Sequence, residues 1–168
     1  MGRLAKEAVL LTTSSPPSDF ANAPRPIVAT IAAVFQDGKV LLVRRANPPD
    51  VGHWGFPGGK VDRGERIEAA AVRELMEETG LEGEALKVFT AVDVFDHADD
   101  GSLRQHYVLV AVLCRRISGT PVAGDDALEA RWFDLEELED ASLALSLDVA
   151  DVARQAARLA RDYAGGAG

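Results

Sequence analysis

The chain is short of cysteine, short of positive charge, and without any long apolar run. Cys114 is the only cysteine in 168 residues, which excludes a disulfide framework and suits a reducing compartment. It lies in the apolar run Val108 to Cys114 and reads as a buried core thiol. Near the amino terminus the apolar stretch is Ala8-Val9-Leu10-Leu11, too brief for a secretory signal or a membrane-spanning helix; a cytoplasmic location is expected. Eighteen bases against twenty-seven acids leave a net charge of -9. Duplex DNA and anionic membranes are therefore poor partners, cations are good ones, and a polyanionic substrate would need local help.

What is present is enough for one ordinary globular domain. With 47% hydrophobic and 27% charged residues, the chain can offset the entropy of folding and bury about two-thirds of its unfolded surface, so a miniprotein and wholesale disorder are both excluded. Residues 1–26 read as a leader, because the Pro-rich stretch from Thr12 to Pro26 holds neither a helix nor a central strand. The domain is expected over 27–164. Ile27 to Phe35 is a buried strand, and Gln36-Asp37-Gly38 turns it into a second strand, Lys39 to Arg44. A glycine-rich loop runs from Asn47 to Gly64. A helix over 66–79 stops at Gly80. Long strands follow over 85–95 and 103–117, a short one over 130–133, a helical turn over 135–138, and an amphipathic helix over 148–163. Strands in the middle flanked by helices give the α+β class with a mixed sheet.

The 66–79 helix carries the chemistry. At about 100° per residue, Ala71, Val72, Leu75 and Met76 form an apolar arc, while Glu74, Glu77 and Glu78 share the opposite side. Like charges at these spacings repel, and acids near a helix C-terminus oppose the macrodipole. Arg73 can reach Glu77, but one arginine cannot neutralise three acids. A hard divalent cation, magnesium or manganese, takes oxygen ligands of this kind, and Gly58-Gly59 lets the main chain approach an ion where a Cβ would collide.

In order, Gly59, Glu65, Arg73-Glu74-Leu75, Glu77-Glu78 and Gly80-Leu81 resemble the signature box of the Nudix hydrolases, G-x5-E-x7-R-E-U-x-E-E-x-G-U with U aliphatic, at every specified position. The resemblance extends from the first strand pair through Trp54 and Pro57-Gly58-Gly59 to Arg131-Trp132-Phe133 and Leu135-Glu136-Glu137-Leu138.

It implies an α/β/α sandwich with a mixed sheet, and metal-dependent hydrolysis of a nucleoside diphosphate linked to another group. By position, Glu74, Glu77, Glu78 and the Gly59 carbonyl would be metal ligands, with Arg73 and Glu65 orienting them. The general base would be Glu74 or Glu129; Asp125 and Asp126 share the Glu129 region, where many members carry a further acid. Arg44, Arg45 and Trp54 are the candidates for substrate contact. Strand alternation sends Arg44 and Arg45 to opposite faces, so at most one of them meets substrate, and core packing competes for Trp54. His53, His97 and His106 lack mutual ligand spacing. The expected partner is a small-molecule nucleotide, without nucleic acid or membrane, with a homodimer left open. Resemblance around His53–Glu65 and His106–Arg116 favours ADP-ribose or a related nucleotide sugar, with pool-cleaning hydrolysis of (d)NTPs as the alternative. A non-catalytic nucleotide sensor is the reading from another class, though such proteins usually show a degraded box.

Overall fold

The computed structural model describes residues 24–124 and 126–165. Most of the expected leader (1–23) and Asp125 therefore lie outside the described residues.

Strand β1 (Ile27–Gln36) runs straight into β2 (Lys39–Arg45) through a two-residue turn. Asp37 and Gly38 take φ of 51° and 79°, the left-handed pair that matches hairpin twist and that an Asp-Gly sequence adopts most readily. Along its length β1 pairs in parallel with β6 (Leu103–Ser118), and near its start antiparallel with the short strand β4 (Gly58–Lys60). Strands β3 (Trp54–Gly55) and β7 (Ala127–Phe133) add to β2, and β5 (Glu82–His97) adds to the far side of β6. The result is a seven-stranded mixed sheet. β3 and β4 interrupt what the sequence presents as one loop; two- and three-residue strands are too short to leave a period-2 pattern.

Both faces of the sheet are covered, which is why β1 lacks polar alternation. Ile31 and Ala33 pack on one side with Val149, Val152, Ala153 and Ala156 of helix α2 (Val149–Gly165). Ala32 and Val34 pack on the other with Ala71 and Leu75 of helix α1 (Ile67–Thr79). Alternate residues of one strand thus feed two cores, and the α/β/α sandwich follows. Cys114 is buried in the α1-side core, where burial pushes its thiol up to about 12.

Helix α1 buries Ala70, Ala71, Leu75 and Thr79. The expected apolar arc is corrected at Met76, which is 45% exposed; the contact face is rotated toward Ala70 and Thr79. The helix ends at Gly80 with φ of 69°, and its last turn has no basic residue. Its free carbonyls are met by the β6–β7 connection: Val122 N–H donates to Thr79 O at 2.9 Å and Gly124 N–H to Glu78 O at 2.8 Å. A Cβ on Gly124 would lie 2.3 Å from Glu77 O, so glycine is what lets this loop lie against the helix end.

Candidate active site

The site is assembled where α1 passes β4. The Arg73 guanidinium grips Glu65 with two parallel bonds, Nε to Oε1 at 2.8 Å and Nη2 to Oε2 at 2.9 Å. Its Nη1 donates to Glu74 Oε1 at 2.7 Å and to Glu77 Oε2 at 3.2 Å, and Nη2 also reaches Lys60 O at 3.1 Å. Three acids and β4 are therefore tied to one rigid fork. The Arg73 hydrogen bonds hold the Glu65 carboxyl down at about 2, helped by the Asp62 N–H. Glu65, followed by Glu74, raises Arg73 above its usual range.

The main chain at β4 completes the arrangement. A Cβ on Gly59 would sit 2.4–2.7 Å from the Glu74 carboxylate, and one on Gly58 would meet Thr30 O at 2.2 Å. Only glycine fits between β1 and the acids of α1. Glu78 is half-buried and accepts from Gly58 N–H at 3.2 Å. Burial, above all, pushes its carboxyl up to about 7; the Glu74 and Asp126 charges add to this, while the Gly58 N–H and Arg45 oppose it.

A cavity of about 510 Å³ opens beside this cluster. It is lined by Gly58, Gly59, Glu78, Arg45 and Asp126, and also by Ile31, Val92, Val94 and Leu109 of the sheet and by Val149 and Val152 of α2. Arg45 lines it with a buried Nε that has no hydrogen-bond partner among the described residues.

The sequence candidates separate in the folded chain. Glu65, Arg73, Glu74, Glu77, Glu78, Gly59 and Arg45 come together. Arg44 does not: its Nε donates to Gly52 O at 3.1 Å, bracing the loop after β2. Trp54 is corrected from substrate contact to core, 8% exposed and edge-on to Phe133 at 4.8 Å between centroids. Glu129 is an exposed residue of β7 in register with Arg44 and lines no part of the cavity. The acid of that region that does line it is Asp126, which the turn-like Gly124-Asp125-Asp126 sequence conceals. His106 pairs with Asp93 at 2.8 Å, away from the cluster.

The three acids do not stand ready as a ligand set. Among the described residues no three His, Cys, Asp or Glu side chains are arranged to hold a metal as they stand, because Arg73 occupies Glu74 and Glu77 while Glu78 turns to Gly58. The donor set still fits a hard divalent cation. It is all oxygen, and the glycine gap admits a main-chain carbonyl; one acid, Glu78, is half-buried and accepts from a backbone N–H.

The family model of the NUDIX domain matches residues 24–155. The chain is 41% identical over 113 residues to the ADP-ribose pyrophosphatase of Methanocaldococcus jannaschii, covering 67% of this chain and 64% of that protein. It thus spans just under two-thirds of that relative's length. It is 33% identical over 109 residues to the oxidized purine nucleoside triphosphate hydrolase of Danio rerio, covering 65% and 67%. Among solved structures, the MutT NUDIX hydrolase from Burkholderia pseudomallei superposes with a TM-score of 0.65 at 34% identity, over 80% of this chain and 97% of that one.

Proposed function

Since the chain belongs to the NUDIX family, we propose that it is a metal-dependent pyrophosphohydrolase of a nucleoside diphosphate linked to another group, with ADP-ribose or a related nucleotide sugar as substrate. The observation that carries this is the Arg73 fork, which binds Glu65, Glu74 and Glu77 beside a cavity lined by Glu78 and Arg45.

Members of the family generally use divalent cations. Glu74, Glu77, Glu78 and the Gly59 carbonyl would hold magnesium or manganese, which would neutralise the pyrophosphate oxygens and acidify an attacking water. The chain supplies placement. Glu65 locks Arg73, and Arg73 keeps the Glu74 and Glu77 carboxylates on one side of α1, a positioning role for both. Glu74 gives Oε1 to Arg73, leaving Oε2 to take the proton from water as general base. Water adds to one phosphorus as the bridging P–O bond breaks, so ADP-ribose yields AMP and ribose 5-phosphate. Arg45 offers donors to the phosphate oxygens, offsetting the acidity of the rim. The apolar lining residues offer contact to the group farthest from the reacting bond.

Hydrolysis of (d)NTPs is the second reading, favoured by the likeness to the oxidized purine nucleoside triphosphate hydrolase. A substrate panel with magnesium separates the two. AMP from ADP-ribose is the expected product, pyrophosphate from a triphosphate selects the alternative, and turnover of neither contradicts the proposal.

A further inference from the structure

The cavity has polar lining that neither the acids of α1 nor Arg45 accounts for. Ser146 and Asp148 both line it, in the segment that leads into α2. The backbone there is fastened to β3: Trp54 N–H donates to Ala144 O at 2.8 Å, Ser146 N–H donates to Trp54 O at 3.0 Å, and Trp54 bridges in parallel to Leu145. The two side chains are therefore carried on a fixed framework.

Both depart from what folding alone would select. Ser146 Oγ is shut off from water and has no hydrogen-bond partner among the described residues, a condition that costs stability and is rare in folded chains. It faces Gly55, where a Cβ would stand 3.7 Å from Oγ, so no side chain fills the space beside it. Serine's staggered rotamers let the hydroxyl be re-aimed without moving the backbone. Asp148 holds φ of 63°, a left-handed conformation that is costly for a residue other than glycine. It directly precedes α2, but a capping residue has extended backbone, so capping does not explain it. Charge pairing does not explain it either, because Asp148 makes no ion pair among the described residues. A half-buried hydroxyl and a half-buried carboxylate thus stand two residues apart on the cavity wall.

Their chemistry restricts what they can hold. A carboxylate only accepts, while a hydroxyl both donates and accepts, so the pair suits a neutral group with adjacent O–H or N–H donors. Its negative charge repels phosphate. We propose that Ser146 and Asp148 form a specificity subsite, separate from the α1 acids, that binds a neutral donor-bearing group of the substrate. Two halves of a nucleoside diphosphate sugar carry such donors: the sugar beyond the pyrophosphate, through its hydroxyls, and the nucleoside. The inference rests on the cavity as a nucleotide site, and not on which bond is cleaved.

The test is calorimetric titration of the full chain, with Mg2+ present, using the two halves of ADP-ribose as probes: ribose 5-phosphate and AMP. Asp148→Asn, which tolerates the same left-handed backbone, should bind one probe at least about tenfold more weakly and leave the other within about twofold. Ser146→Ala should weaken the same probe roughly fivefold. A loss confined to ribose 5-phosphate assigns the subsite to the sugar, and a loss confined to AMP assigns it to the nucleoside. In urea unfolding without ligand, Ser146→Ala should keep or raise the midpoint, since it removes an unpartnered hydroxyl, whereas a merely structural serine would lose stability. Unchanged affinity for both probes in either variant, equal losses for both, a lowered Ser146→Ala midpoint, or wild-type protein that binds neither probe overturns the proposal. Wild-type protein that binds a probe yet hydrolyses neither ADP-ribose nor a triphosphate overturns the functional reading alone, so the two failures are distinguishable.

Discussion

Two side-chain positions decide whether this site exists. At Gly59 the absent Cβ is the structural fact, since any side chain there would occupy the space of the Glu74 carboxylate. Gly59→Ala should therefore leave the circular dichroism spectrum unchanged while lowering turnover by about two orders of magnitude, the scale associated with misplaced catalytic groups; retention of full activity would show that Glu74 is not held where the structure has it. Glu65 gives a pH signature. Its folded pKa of about 2 lies below the ordinary value of 4.5, so the folded state favours the ionised form. The associated stability is fully present above about pH 4.5 and is lost as pH falls toward 2. In urea titrations the gap between wild type and Glu65→Gln should be constant from pH 7 to 5 and shrink from 4.5 to 3. A gap that widens on acidification would contradict the ion pair.

Helix α1 shows why acids can crowd a helix C-terminus. Its last turn contains Glu77 and Glu78 and no base, a combination that is unfavourable for an isolated helix. Three features hold it: the buried Leu75 face, the Gly80 stop, and the β6–β7 connection that caps its carbonyls. Gly124→Ala, by driving a Cβ into Glu77 O, should cost about 1–3 kcal/mol in urea unfolding, typical of overpacking, and an unchanged midpoint would refute the close approach. The helix, its stop and its three acids were legible from spacing alone, because periodicity and a C-terminal glycine are local signals. The capping loop was not legible, since a contact between residues 79 and 122 leaves no local pattern. Helix rotation was equally hidden: Met76 is apolar and falls on the predicted arc, yet it faces solvent while Ala70 and Thr79 are buried.

Across the molecule, the sheet separates two jobs. One face packs α1, which carries the acids; the other, under α2, supplies apolar residues that line the cavity. The mixed sheet and its flanking helices followed from long apolar strands between helical patterns, and the signature box located Glu65 through Glu78. The sequence was least informative where the answer depended on which way a side chain leaves the backbone. Arg44 and Arg45 are adjacent and chemically identical, but one braces a loop and the other lines the cavity. Trp54 and Glu129 had the right residue types in the wrong places, and Asp126 was masked by an ordinary turn composition. Among the described residues no helix is long and apolar enough to cross a membrane.

Calorimetric titration of the nucleotide-free chain with Mn2+, wild type against Glu77→Gln, is the most direct check on why these carboxylates are gathered. Wild-type protein should take up the ion, releasing protons below about pH 7 as Glu78 is forced to ionise, and the variant should bind at least about tenfold more weakly. Equal affinity in the two proteins, or no uptake by either, would mean that Arg73 alone accounts for the acidic cluster.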